Sequence, residues 1–283
     1  MPNRPLPAHA DVPYAALSPA QKLDIYLPDH GESPLPVILH IHGGAFMGGD
    51  KADTQLEPML AGLARGYAVV SINYRLSGEA LFPAQIQDIK AAVRWVRAHT
   101  AQYGFDPARV AAWGGSAGGH LSALAGLTPG VPALDDPSLG SPGQSDALQA
   151  VVDWFGPTDF LKMDEQAATC GFAPGSFMVH SEPRSPESLL LGDLITRVPE
   201  RVLAANPEAY ITPAAPPFFI QHGTHDVLVP WQQSAGLAAR LEAVCGPGRV
   251  TLELLEGAAH GDPKFASPEN VRKVLDFLDA RLA

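Results

Sequence analysis

The residue types that together perform acyl transfer, a serine, a histidine and an aspartate, stand in this chain in settings that would let them meet. Ser116 lies at the centre of Gly114-Gly115-Ser116-Ala117-Gly118, directly after the apolar run Val110 to Trp113 and at the start of a small-residue segment that reads as a helix. A serine on such a strand-to-helix turn sits on strained backbone, and side chains two residues away would collide with neighbouring main chain, so glycine is needed at both positions. In a chain with 27 glycines the pentapeptide alone is a weak signal, equally compatible with a flexible glycine loop. It gains weight from its company: His42-Gly43-Gly44-Ala45-Phe46 upstream, Asp226 downstream, and His260 in Gly257-Ala258-Ala259-His260-Gly261 beyond that.

Serine chemistry needs a positioned hydroxyl, a base to take its proton, an acid to orient the base, and donors for the oxyanion. Ser116 supplies the hydroxyl. Of ten histidines, His260 stands apart because it follows a strand candidate within a glycine-bounded loop late in the chain. The acid must also follow a strand, and Asp226 does so after Phe218-Phe219-Ile220. Asp159 and Asp262 are rivals; Asp159 follows another strand, whereas Asp262 is too near His260 in sequence to approach its ring from behind. His225 is expected to point away as a rim histidine. The oxyanion donors would be the amide of Ala117 and amides of the His42 to Phe46 loop. Phe46, Met47, Phe155, Phe177 and Met178 could line an apolar acyl or aromatic pocket, although such residues are more often core.

These residues must be carried by elements, and apolar runs alternate with helical patterns along the chain. That alternation signals an α/β fold with a mostly parallel sheet. Strand candidates are Leu23 to Leu27, Val37 to His42, Tyr67 to Asn73, Arg109 to Trp113, Ala150 to Phe155, Phe218 to His222 and Val250 to Leu255. Ile86, Ile89, Val93 and Val96 fall at helical spacing and predict a helix from Pro83 to near Gly104. Further helices are expected over Leu56 to Ala64, Trp231 to Val244 and Val271 to Leu282. The short proline-bearing turn from Pro28 to Pro36 suggests an antiparallel start to the sheet. Thr128 to Ser145 reads as a surface loop. One domain is expected over 1–283, with an insertion from about 156 to 215 in which helical pieces (Ser185 to Leu191, Glu200 to Ala204) are broken by Pro174, Pro183, Pro186, Pro199 and Pro207. An excursion of that length is more often functional than accidental, and it is expected to cap the site.

Composition bounds the chemistry from outside. Apolar residues at 46% and charged residues at 17% describe an ordinary globular protein. A net charge of −11, with 19 basic against 30 acidic residues, argues against nucleic acid or an anionic membrane as partner. Cys170 and Cys245 allow at most a single bridge, and two free or buried thiols are expected. With no apolar leader and no run of about 18 apolar residues, the chain as given reads as cytoplasmic.

Taken together, these strings make the chain resemble an α/β-hydrolase of the carboxylesterase and hormone-sensitive-lipase-like group, nearest its bacterial feruloyl-esterase-like branch. Leu23-Asp24-Ile25-Tyr26-Leu27-Pro28, Asn73-Tyr74-Arg75-Leu76, Gly119-His120-Leu121, His222-Gly223-Thr224-His225-Asp226 and Val229-Pro230 add to the motifs above. The resemblance covers nearly the whole chain. It implies Ser116, Asp226 and His260 as triad, oxyanion amides from Gly44, Ala45 and Ala117, and no cofactor or metal. Lipase-like relatives usually carry a third glycine where this chain has Ala45; the alanine still donates its N–H, and its methyl is expected to narrow the site. The leading expectation is a serine carboxylic-ester hydrolase acting on small-molecule esters with short or flat aromatic acyl groups. Amide, peptide or formyl hydrolysis on the same triad remains open, because fold and triad do not fix the substrate. Metal-dependent hydrolysis through His40/His42 and His222/His225, and a binding protein on the same scaffold, are the readings from other classes.

Overall fold

The computed structural model describes residues 4–30, 34–173 and 175–282. Pro174 and part of the turn between Pro28 and Pro36 therefore lie outside the described residues. Strands β1 (His9–Pro13), β2 (Lys22–Tyr26), β3 (Leu35–Ile41), β4 (Ala68–Ile72), β5 (Phe105–Gly115), β6 (Ala150–Trp154), β7 (Phe218–Gly223) and β8 (Val250–Leu255) form one sheet in the order β1-β2-β4-β3-β5-β6-β7-β8. The first two strands pair antiparallel, β2 meets β4 antiparallel, and the remaining pairs are parallel.

The central strands are mostly apolar because both of their faces are covered. In β3, Val37, Leu39 and Ile41 enter one core cluster while Ile38 enters the other; β5 divides Val110 and Ala112 from Ala111 and Trp113 in the same way. Helices α1 (Glu57–Leu60), α2 (Ala84–Ala98), α3 (Thr100–Tyr103), α4 (Ala117–Leu127), α5 (Met163–Thr169), α6 (Pro186–Leu191), α7 (Pro199–Ala205), α8 (Gln232–Cys245) and α9 (Pro268–Leu282) complete the described elements. Ile86, Ile89, Val93 and Val96 of α2 pack in the first cluster with Leu121 and Leu124 of α4 and Leu237 of α8. Met59 of α1 and Val271, Val274 and Leu278 of α9 pack in the second.

Several expectations shift. The strand at Leu23 pairs with β4 and not with its sequence neighbour β3, and β1, a polar segment ending in Pro13, precedes it. The helix expected to run to Gly104 breaks at His99, and α3 then ends on Gly104 at φ 72°. Where a helix from Leu56 to Ala64 was expected there is only one α-turn, with 3-10 turns on either side. The loop from Thr128 to Ser145 is tied down from within: Arg94 pairs with Asp135 and donates to the Leu139 carbonyl, and Leu134 and Leu139 are buried. Cys170 and Cys245 are both free thiols.

The topology has one consequence for chemistry. The parallel strands β3, β5, β7 and β8 end on the same edge, so the segments after them, bearing Gly43 to Phe46, Ser116, Asp226 and His260, converge at the carboxyl end of the sheet.

Candidate active site

Ser116 has φ 58° and ψ −124°, a backbone conformation that L-residues rarely adopt, between the end of β5 and the first residue of α4. Main chain holds it there. Its N–H donates to the Trp154 carbonyl at 2.8 Å, and its own carbonyl accepts from His120 N–H at 3.0 Å. The flanking glycines have no alternative: a Cβ on Gly118 would lie 2.0 Å from the Ile41 oxygen, and one on Gly114 2.4 Å from the Gly118 oxygen. As first residue of α4, Ala117 has an amide with no acceptor inside the helix, at the positive end of the helix dipole.

His260 Nε2 lies 2.9 Å from Ser116 Oγ, and its Nδ1 lies 2.7 Å from Asp226 Oδ2. A carboxylate at Nδ1 keeps the proton on that nitrogen, which turns the Nε2 lone pair toward the serine hydroxyl. Phe155 packs edge-on against the His260 ring, with centroids 4.8 Å apart. Asp226 is 1% exposed. Burial alone would favour its neutral form, but hydrogen bonds from His222 and His260 outweigh it and hold the carboxyl well below the usual range. The other oxygen, Oδ1, accepts the Leu228 and Val229 amides at 2.9 and 2.8 Å. His222 contributes Nε2 at 3.3 Å from Asp226 and is itself fixed by Ser234 at Nδ1.

In the loop after β3, Gly44, Ala45 and Phe46 all have positive φ, at 116°, 57° and 61°. Only the first is a glycine, so this loop stores backbone strain at two positions. The Gly44 and Ala45 amides make no hydrogen bond to a described residue, and both residues line one cavity with Ser116 and Ala117. Gln55 accepts the Gly43 N–H at 2.9 Å. Tyr74 stacks on His42 at 4.4 Å and donates its hydroxyl to the His42 carbonyl, steadying the start of the loop.

The cavity around Ser116 has a volume of about 370 Å³. Of the expected pocket residues, Phe46, Phe155 and Met178 line it, together with Pro186, Leu228 and Val229. Met47 does not: it is exposed and borders a separate cavity beside Tyr74, because the turn after Phe46 carries it outward. Phe177 is half-buried and lies outside the cavity wall, to which its neighbour Met178 turns instead. Pro157, Met178, His180, Pro186 and Glu187 reach the cavity from the segment between β6 and β7. A second cavity of about 560 Å³ adjoins it across Gln55, Phe155 and Gly261.

The rival acids are occupied elsewhere. Asp159 pairs with Lys162 at 2.8 Å, and Asp262 accepts the Lys264 amide of its own turn. His225 is exposed and packs edge-on to Phe172. His40 binds Ser71, whereas His42 binds the Gly43 carbonyl, and burial lowers the His40 pKa to about 3. No group of three potential metal ligands clusters among the described residues. Sequence reasoning passed over Gln55, Tyr74, His180 and Glu187, and considered His222 only as a metal ligand. Two of them sat inside quoted strings, His222 before Asp226 and Tyr74 after Asn73, and that proximity was the available signal.

The profile of the BD-FAE family matches residues 23–241, a span that includes Ser116 and Asp226. Over 250 residues the chain is 37% identical to LipM of Mycobacterium tuberculosis, a probable carboxylic ester hydrolase, covering 86% of this chain and 54% of that protein. It spans between half and two thirds of the length of LipM and of two further esterases from that organism. A truncated carbohydrate esterase from gut microbiota has a TM-score of 0.85 at 32% identity, covering 96% of this chain and 95% of that one. For the butyrate-bound thermophilic esterase Est2 of Thermogutta terrifontis the TM-score is 0.73 at 27% identity, over 96% and 92% of the two chains. With a mostly parallel sheet flanked by helices, a serine on a strained turn after β5, and the family profile spanning the fold from β2 into α8, the chain belongs to the BD-FAE family of α/β-hydrolases.

Proposed function

We propose that this chain hydrolyses small-molecule carboxylic esters through an acyl-enzyme on Ser116. The observation that carries this reading is the unbroken chain of hydrogen bonds from Ser116 Oγ through His260 to Asp226 on the floor of the cavity. Ser116 Oγ attacks the ester carbonyl while His260 Nε2 takes its proton, and the ionised Asp226 stabilises the imidazolium that forms. The carbonyl oxygen, now negative, is stabilised by the Ala117 amide and the unpartnered amides of Gly44 and Ala45, donors fixed before charge develops. Collapse expels the alcohol, protonated by His260. Water then repeats the sequence on the acyl-enzyme, with His260 as base, and releases the acid and free Ser116.

The cavity supports a short or flat aromatic acyl group. Its volume is about 370 Å³, its wall is largely apolar, and Met178 and Pro186 of the inserted segment form part of that wall with Leu228. The adjoining cavity past Gln55 and Gly261 offers room for the alcohol part of the ester. The solved neighbours include an esterase with butyrate bound and a carbohydrate esterase, which fits a small acyl group on a larger alcohol.

The test is a panel of esters from acetyl through long chains to hydroxycinnamoyl, scored by kcat/KM, alongside labelling with a fluorophosphonate. Turnover together with a stoichiometric adduct on Ser116 supports the reading. Turnover abolished by EDTA in a protein that resists the fluorophosphonate would overturn it.

A further inference from the structure

His180, in the segment between α5 and α6, is 1% exposed, and both of its ring nitrogens face acceptors. Nδ1 lies 3.0 Å from Glu187 Oε2, and Nε2 lies 2.9 Å from the Leu228 carbonyl. A neutral imidazole beside a carboxylate has one N–H for these two acceptors, so one contact would set a lone pair against an oxygen. Both contacts are satisfied only when the His180–Glu187 pair holds one extra proton, as imidazolium with carboxylate or as imidazole with carboxylic acid. Glu187 is 4% exposed, so an unmet hydrogen bond in this pair is costly.

The contacts of this pair join the inserted segment to the loop that carries Asp226. The Leu228 peptide is held on both sides, its carbonyl by His180 and its N–H by Asp226 Oδ1. Met178 N–H donates to the Val227 carbonyl at 2.9 Å, one residue nearer the acid. From α5, Asp164 accepts the backbone N–H of His180 at 2.6 Å and that of Ser181. Met178, His180, Glu187, Leu228 and Val229 all line the catalytic cavity.

We propose that His180 is a positioning residue, which latches the inserted segment onto the Asp226 loop through the proton it shares with Glu187. The reaction it serves is the ester hydrolysis proposed above, and the inference rests on that reading. The groups facing His180 are Glu187 from α6, Asp164 from α5 and the Leu228 carbonyl from the acid loop, where Asp226 is occupied by His222 and His260. Burial opposes the cation, but Glu187 outweighs it, with Leu228 and Asp164 adding to the effect, and the His180 pKa is raised. A raised pKa gives the sign: the latch is fully present below the ordinary histidine range and is lost as pH rises through the raised value. Acid alignment and closure of the cavity then weaken together.

The experiment uses the whole chain and has an arm independent of turnover. Isotope-labelled histidine NMR, with His180 assigned through His180→Asn, reads the ring directly. Just above the ordinary histidine pKa of about 6.5, the His180 ring should still share a proton with Glu187 and protect both of its hydrogen bonds. A His180 ring that has already lost that proton near neutrality would overturn the proposal. In the second arm, kcat and kcat/KM for a short ester are followed against pH in the wild type and in Glu187→Gln. The amide of Gln can donate to Nδ1 of a neutral His180 while Nε2–H still donates to Leu228, so this variant needs no shared proton. It should lower the neutral-pH rate no more than several-fold and move the alkaline fall in kcat/KM upward by about one pH unit or more. An alkaline limb identical in the wild type and Glu187→Gln, with both folded by circular dichroism, would overturn the latch. If the wild type turns over no ester, the functional reading fails instead, and the NMR arm alone decides whether the shared proton exists.

Discussion

Ser116 and Asp226 both follow strands of one sheet, but the molecule holds them by different means. The serine is fixed by main chain: its N–H on Trp154, its carbonyl on His120, and glycines pressed against the Ile41 and Gly118 backbones. The acid is fixed by side chains on one oxygen, those of His222 and His260, and by the Leu228 and Val229 amides on the other, with the loop behind it held by His180 and, through His222, by Ser234. Contacts between backbones demand glycine at set spacings and so mark the sequence. Contacts between side chains far apart in sequence, such as His260 with Asp226, leave no local pattern.

The sharpest way to break the comparison is to remove the residue on the backbone-fixed side. Ser116→Ala is expected to lower kcat on the order of 10⁶-fold, as the loss of a triad serine does in other enzymes. Because its position depends on main chain, the fold should stay intact. A folded variant that keeps more than about a hundredth of wild-type kcat, after contamination is excluded, would remove Ser116 from the mechanism.

On the side-chain-fixed side, Asp226→Asn should cost about 10⁴-fold in kcat, since an amide no longer enforces the productive imidazole tautomer. Asp159→Asn should cost far less, because Asp159 is paired with Lys162 away from the His260 ring. Steady-state kinetics on the two variants settle the ranking, and the reverse order would sink the assignment of the acid.

A smaller effect tests the claim about main-chain contact itself. Gly118→Ala places a methyl 2.0 Å from the Ile41 carbonyl oxygen, whereas at Gly78 a Cβ would meet nothing within 4 Å. The first substitution should destabilise the fold by about 3 kcal/mol, at the upper end of overpacking costs, and Gly78→Ala by no more than about 0.5 kcal/mol. Equal midpoints in urea for the two variants would mean that the elbow is looser than its geometry implies.

The smallest expected effect concerns the cavity around Ser116. Each methylene changes discrimination in an apolar pocket by about 1–3 kcal/mol at most, so kcat/KM should fall in a graded way from short acyl chains to long ones. A steady rise from acetyl to palmitoyl esters would mean that Met178, Pro186 and Leu228 wall a long tunnel and do not close a short pocket.

Much of this molecule was legible beforehand, for identifiable reasons. Six strands were readable because both of their faces are buried and their sequences are correspondingly apolar, and the half-buried edge strand β8 from its run of Val and Leu. β1 was not, being mostly exposed and polar, with pairing supplied by β2. The helix from Pro83 was readable from its apolar spacing, but its break at His99 was not, since it depends on the local turn and on the stacking of His99 over Trp95. Among pocket candidates, composition could not separate Met178, which turns inward, from Phe177 and Met47, which do not.

The sequence by itself determined the sheet, its carboxyl edge as the place for chemistry, and the order serine, aspartate, histidine along the chain, because alternation and glycine spacing are local properties that survive without knowledge of the fold. Only the tertiary structure decided which aspartate meets the His260 ring, that Gln55 and Tyr74 brace the loop after β3, and that His180 bridges Glu187 and the Leu228 carbonyl. Those outcomes depend on distance and direction between side chains far apart in sequence, and on burial that makes each unmet hydrogen bond costly. Neither quantity exists until the chain has folded.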